Sequence, residues 1–415
     1  MLSVGNIEGD TEMNELEKLK ADAIGGTVYS GKWIAEILLR MSKVSEEGWN
    51  QELETDLCTL WDMTTEKDIV KYLVENDFLK VAEHCLKSTE ELRFTEIIVG
   101  IIGNLSCDPE VLEILATRDE LCGLIFRLLS SDDSRILLQI IRFLRGCLWD
   151  VQNNSSSVWR SNLKDSTFLR EVVPFILKSS TSEDLIISTT AFLRSALEIT
   201  VSTSSNFLDE LFDPCSLLPG FLESFDEILP QDDCQYSSST RKYLEDWLEL
   251  FSSILEKSIL EEANLCRTIE IVRRILAEFV DPYNLFPLEE TRATCIHRAT
   301  EIVLRLRIKE MVEEEQNVAI NRVIIGIMFR IVSALNDGES DPEDTMKELL
   351  KYLEGYWIEI SRISTVEEIS RTLNISDKEI LEYSISLLKS TKKIPSEKVE
   401  DIVQRLRVFL SNNSE

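Results

Sequence analysis

DFLKVAEHCLKSTEELRFTEIIVGIIGNLSCD, residues 77–108, lies without a gap on DELCGLIFRLLSSDDSRILLQIIRFLRGCLWD, residues 119–150, after a shift of 42 residues. Leu79 falls on Leu121, Leu86 on Leu128, Ser88 on Ser130, Arg93 on Arg135 and Ile98 on Ile140. Within the first copy, Phe94, Ile97, Ile98, Ile101, Ile102 and Leu105 recur at the three- and four-residue steps of one apolar helix stripe. Leu137, Ile140, Ile141, Leu144, Cys147 and Leu148 repeat it in the second copy. Asp108-Pro109 closes one helix and opens the next. A further shift of 49 residues carries Phe143-Leu144-Arg145 onto Phe192-Leu193-Arg194, and the loop Asn153-Asn154-Ser155-Ser156-Ser157 absorbs the extra length. Three short helices in a period near 42 are the armadillo/HEAT unit. One such unit cannot bury its apolar face alone, so consecutive units stack and leave two long surfaces. The predicted fold class is therefore all-α, an armadillo/HEAT-like helical-repeat superhelix (α-solenoid).

Outward from this repeat the pattern loosens. Residues 1–22 form an acidic N-terminus expected to be disordered, and residues 23–203 carry the N-terminal armadillo-like repeats. Residues 204–240 read as an acidic linker region with short helices over 206–212 and 218–229. Residues 241–415 read as C-terminal helical repeats, with long helices over 240–258, 261–279, 288–310, 316–335 and 341–360, then 376–390 and 396–411. Asp281-Pro282 and Asp341-Pro342 are breaks, and residues 337–341 and 411–415 are expected to be mobile.

Composition narrows the function. The 415 residues include 75 acidic and 44 basic side chains, a net charge of −31, with 44% apolar residues. That apolar share supports a buried core. The acidity argues against direct nucleic-acid binding, which needs a basic surface, and against docking on anionic lipid. The N-terminus lacks the basic and apolar regions of a signal peptide, and no run approaches 18 apolar residues. Cys58, Cys85, Cys107, Cys122, Cys147, Cys215, Cys234, Cys266 and Cys295 are odd in number, widely spaced and without a C-x-x-C motif. They read as small apolar fillers in a reduced, intracellular protein of the nucleus or cytoplasm.

Several blocks also resemble a known family. AIGGTVYSGKW (residues 23–33), LWDM (residues 60–63) followed by Asp68, and EIIVGIIGNLSC (residues 96–107) are similar to the serum amyloid A-like protein family, also called synoviocyte proliferation-associated protein. Ser157-Val158-Trp159 with Leu163, and FILKSS (residues 175–180), extend the likeness to about residue 200. The family's long acidic insertion after the first Trp is much shorter here, and its C-terminal half is not recognisable. The resemblance implies an armadillo-like, intracellular, often nuclear protein linked to cell proliferation and without known catalytic activity.

Constellations that could carry chemistry are sparse. The two histidines, His84 and His297, adjoin cysteines without the spacing that puts both side chains on one helix face. No zinc-ligand cluster and no phosphate-binding Gly-Lys loop occur, so no catalytic residue, metal or cofactor is assigned. Gly100 and Gly103 stand inside the apolar stripe, where glycine weakens a helix; close approach of a neighbouring helix explains them. Gly25-Gly26 reads as a turn before the first helix at Lys32. The partner-binding candidates are Asn104, Arg142, Arg145, Trp149 and Arg194. An Asn on the third helix can donate to and accept from any peptide backbone, or brace two helices. Arg142, Arg145 and Trp149 share one side of the next third helix, suited to an acidic or C-terminal segment, or to internal pairing with acids. Trp33, Trp61, Trp149 and Trp159 could be partner hot spots, but three of the four stand within helical apolar patterns and core is preferred; Arg298, Arg305, Arg307 and Lys309 could form a local anion site but read as a solvated mixed-charge face. The expected protein is a monomeric, non-enzymatic scaffold or adaptor. Its groove binds a protein or peptide, and its negative field favours a basic one. An enzyme with an unrecognised pocket in the C-terminal half is the alternative.

Overall fold

The computed structural model describes residues 22–203, 205–229, 237–258, 260–309, 311–337, 343–374 and 377–412. Nearly all of the N-terminal segment expected to be disordered, most of the two segments expected to be mobile, and Cys234 lie outside the described residues. The chain divides into two compact units, Met1–Asp213 and Pro214–Glu415.

The first unit opens with α1 (Gly31–Ser42), α2 (Val44–Glu47) and α3 (Gln51–Met63). Three triplets follow. They are α4 (Lys67–Glu75), α5 (Phe78–Ser88) and α6 (Leu92–Leu105); α7 (Pro109–Ala116), α8 (Asp119–Arg127) and α9 (Ser134–Asn153); and α10 (Trp159–Asp165), α11 (Thr167–Ser179) and α12 (Glu183–Glu198). Local chemistry sets these boundaries. The Ser30, Asn50, Asp108, Asp133 and Ser166 side chains accept backbone N–H bonds at the starts of α1, α3, α7, α9 and α11. Pro109 sits in the first turn of α7, where its missing N–H costs nothing.

The third helices α3, α6, α9 and α12 pack in succession, each on the next. The second helices α5, α8 and α11 form a parallel row that α1 extends at its N-terminal end. This is the stacking that the 42-residue shift predicts, and all six apolar stripe residues of α6 are completely buried. Burial of each such side chain contributes roughly 1.5–3 kcal/mol, which is why the row, rather than helix propensity, holds the unit. A short hairpin, β1 (Thr200–Ser202) with β2 (Ser205–Asn206), and α13 (Phe207–Leu211) close the unit.

The second unit comprises α14 (Pro214–Ile228), α15 (Ser238–Lys257), α16 (Glu262–Glu278), α17 (Pro282–Leu285), α18 (Glu290–Ile308), α19 (Glu314–Asp337), α20 (Glu343–Ile363), α21 (Val366–Leu373), α22 (Lys378–Ser390) and α23 (Ser396–Asn412). Helices pair as α14/α15, α16/α18 and α19/α20. Successive pairs stack through α15–α18–α20 on one side and α14–α16–α19–α21 on the other. The helix α19 is long and apolar enough to cross a membrane, a property that counting unbroken apolar runs missed. Half of its apolar window is buried in the unit, and its buried Asn321 accepts a hydrogen bond of 2.6 Å from the Tyr356 hydroxyl.

Candidate functional site: the face of the third-helix row

Helix α9 follows the sequence pattern closely. Ile140, Ile141, Phe143, Leu144, Cys147 and Leu148 point into the unit, and Arg135, Arg142, Arg145 and Trp149 point out. These four fall on one stripe of the helix. Trp149 is 52% exposed, unlike Trp159, which is buried edge-on against Phe143 at a centroid distance of 5.5 Å. Trp33 and Trp61 are half-buried, so the expectation of core tryptophans is met fully only at Trp159.

The arginines of this face differ in their partners. Near the start of the row, Arg93 donates to Glu54 at 3.0 Å and to Glu96 at 2.8 Å, and Glu96 leads in holding the guanidinium firmly charged. Arg135 meets Asp133 at 3.2 Å and Glu96 at 3.8 Å. Arg194 on α12 pairs with Glu198 at 3.0 Å. Among the described residues, no carboxylate pairs with Arg142 or Arg145. Arg142 is oriented by a 3.1 Å bond from Nη1 to the Oε1 of buried Gln139, a neutral acceptor that leaves the charge uncompensated.

Asn104 is half-buried on α6, and its Nδ2 donates to Thr64 Oγ1 at 2.9 Å and to the Trp61 carbonyl at 3.3 Å. Both bonds tie α6 to the end of α3. Gly100 explains the closeness: a Cβ there would stand 2.1 Å from Trp61 Cζ2. The glycine therefore admits the indole between the two helices, as the sequence pattern anticipates.

Other candidates resolve into structural roles. His84 is exposed, whereas the His297 ring lies tilted by 44° against Tyr352 at a centroid distance of 3.8 Å, and burial lowers its pKa. Burial pushes the Cys85 thiol up to about 11 and those of Cys122 and Cys295 up to about 12, so they are inert fillers. Arg298 and Arg305 share Glu301 and reach Glu249 and Glu256 across helices at 2.9 and 2.7 Å. Arg307 donates to buried Glu368 at 2.7 Å. These three are therefore inter-helix ties rather than a solvated face. The role of Glu368 escaped sequence reasoning, although Thr365-x-x-Glu368 is a helix-capping signature that marks the start of α21. Among the described residues, no three His, Cys, Asp or Glu side chains converge as metal ligands.

Helix order and stacking together define an all-α helical-repeat protein of the armadillo kind. Within that class, the chain is similar to the curated proteins named SAAL1. It is 31% identical to Protein saal1 of Danio rerio over 190 residues, covering 43% of this chain and 39% of that protein. It is 29% identical to the Xenopus tropicalis protein over 181 residues (40% and 39%) and 29% to Protein SAAL1 of Homo sapiens over 180 residues (40% and 38%). The matches thus span about two fifths of the length of each of these relatives. No family model matches. Similar solved structures include a designed armadillo repeat protein (13% identity, 64% of this chain and 98% of that chain, TM-score 0.37). Another is described as showing a conserved phosphorylation switch that controls the interaction between cadherin and beta-catenin (12% identity, 95% and 94%, TM-score 0.43).

Proposed function

We propose that this chain is a non-enzymatic scaffold that binds a segment of another protein along the face of its third-helix row. The observation that carries the proposal is the stripe on α9. An exposed Trp149 shares it with Arg142 and Arg145, and Trp and Arg are the residue types that dominate protein-binding hot spots. Four carboxylates are held charged and are unsuited to act as general acids. Burial pushes Asp133 and Glu301 up, yet bonds from Arg135 and from Arg298 and Arg305 carry both below the ordinary range. Lys87 lowers Glu120, and Arg362 lowers Glu359. A general acid would need the opposite shift. A place in the reduced interior of the cell, nucleus or cytoplasm, and a link to cell proliferation belong to the same proposal. Free cysteines, four of them buried among the described residues, support the reduced interior, and the family resemblance of the N-terminal repeats supports the rest.

A photo-crosslinking residue at Leu138 on the row face, compared with one at exposed Glu113 on α7, tests the assignment in cells. Discrete polypeptide adducts are expected from position 138 and not from position 113. Equal labelling from both positions refutes it. Asn104→Ala separates brace from ligand: it is expected to lower stability by about 1–2 kcal/mol through the lost ties to Thr64 and Trp61, with adducts at position 138 unchanged. Loss of the adducts at unchanged stability would make Asn104 a ligand.

A further inference from the structure

The segment that the row face seats can be given a charge, an assignment that rests on the face being a binding surface. The chain has 75 carboxylates for 44 cationic side chains, so acids are available to pair with arginines across the fold. Arg93, Arg135 and Arg194 on the same row each hold at least one carboxylate, whereas Arg142 and Arg145 hold none among the described residues. The two unpaired arginines stand three residues apart on α9, so their side chains project side by side from one face. Trp149 follows four residues after Arg145 and exposes half of its ring. Gln139 fixes Arg142 through a neutral bond, which aims the guanidinium without spending its charge. We propose that this part of α9 docks an extended acidic segment of another protein, with carboxylates on Arg142 and Arg145 and an apolar side chain against Trp149.

The net charge of −31 pulls the other way, toward a basic partner. Distance decides between them. Exposed charges farther away than a Debye length of about 8 Å are largely screened at physiological ionic strength. An acid in contact with the Arg142 and Arg145 guanidinium groups is held by planar, bidentate donors at close range. The field of the whole chain sets the rate of approach, and the unpaired arginines set which segment stays.

The test uses fluorescein-labelled dodecapeptides of alternating Glu and Leu or Phe, with Lys replacing Glu in the comparison set. Binding to the full chain is read by anisotropy at physiological salt. The acidic peptides are expected to bind more tightly than the basic ones. Arg142→Glu and Arg145→Glu should each weaken them by about tenfold, and Trp149→Ala should weaken the Phe peptide. Arg127→Glu makes the same charge change at an exposed position at the end of α8 and should leave binding within about twofold. Circular dichroism melts check that each variant folds. Tighter binding of the basic peptides, or equal loss with Arg127→Glu and Arg145→Glu, overturns the acidic assignment while leaving the face a binding surface. No binding of either set, together with absent adducts at position 138, overturns both.

Discussion

Gly100 is the position where two physical effects of opposite sign can be separated. It lies in the middle of α6, and a Cβ there would stand 2.1 Å from Trp61 Cζ2, 2.3 Å from Cε2 and 2.7 Å from Cη2. Ordinary contact begins at 3.4 Å, so the indole must retreat by more than about 1 Å to admit a methyl group. Alanine gains up to about 1 kcal/mol in helix propensity. Forcing extra volume into a packed contact costs about 1–3 kcal/mol, and an overlap this large places the cost in the upper half of that range. Gly100→Ala is therefore expected to destabilise the protein by about 1–2 kcal/mol. In a Trp61→Ala background the obstruction is gone and the propensity gain remains, so the same change should stabilise by up to about 1 kcal/mol. The coupling, about 2–3 kcal/mol, is within the range for residues in contact. Urea unfolding of the full chain by far-UV circular dichroism gives both values. Hydrogen exchange across Leu92–Leu105 localises the effect to α6. If Gly100→Ala has the same sign with and without Trp61, the close approach is not what the glycine serves.

Two further substitutions probe the second unit. Glu368 is 1% exposed and accepts from Arg307 and Asn317, so Glu368→Ala leaves the half-buried Arg307 without its acid and buried Asn317 without its acceptor, and should cost about 3 kcal/mol. Arg307→Met with Glu368→Leu should recover most of that loss in urea midpoints; a double variant as unstable as Glu368→Ala would contradict the account. Burial holds the His297 pKa below 6.5. The unfolded chain therefore takes up a proton near pH 6.5 before the folded one does, and stability falls as pH drops from there toward the folded pKa. His297→Asn should flatten that slope between pH 7.5 and 5.5, and an unchanged slope would show that other groups cause it.

Much of the helical frame is legible in the sequence because it is written in local spacing. The stripes of α6 and α9 and the long helices α15, α16, α18, α19 and α20 follow from steps of three and four residues, with boundaries within a few positions of those predicted, and Asp108-Pro109 and Asp281-Pro282 break the chain as expected. The short helices α2, α17 and α21 escaped because four to eight residues give too few turns for a periodic pattern. The arginines of α18 illustrate the harder limit. Their acidic partners across helices lie 49 residues away for Arg298 and 61 for Arg307. Which carboxylate meets which guanidinium depends on the register between stacked helices, and nothing within one helix encodes it. Arg142 and Arg145 show the converse. Residues 134–149 contain no acid, so the lack of a same-helix partner is legible in the sequence, and among the described residues the packing brings no carboxylate from a neighbouring helix.

The same separation bears on what the likeness to SAAL1 means. Its signature residues hold the frame. The Asp68 carboxylate accepts from the Gly26 N–H at 2.8 Å, and Gly25 at φ 54° permits the tight turn above it. The Tyr72 hydroxyl donates to the Gly31 carbonyl at 3.0 Å, and Asp22 accepts from the Lys32 N–H at 3.1 Å at the start of α1. Leu60 and Met63 are buried, and Trp61 fills the space over Gly100. Such residues are constrained by packing whatever the protein binds, because each replaces a lost contact with a void or a clash. Arg142, Arg145 and Trp149 carry no such constraint: their side chains project into solvent and can change at little cost in stability. Sharing the frame therefore predicts a shared way of stacking helices. On the binding role proposed for the α9 stripe, the exposed side chains set the partner, and two proteins with the same turn at Gly25-Gly26 can hold different segments there.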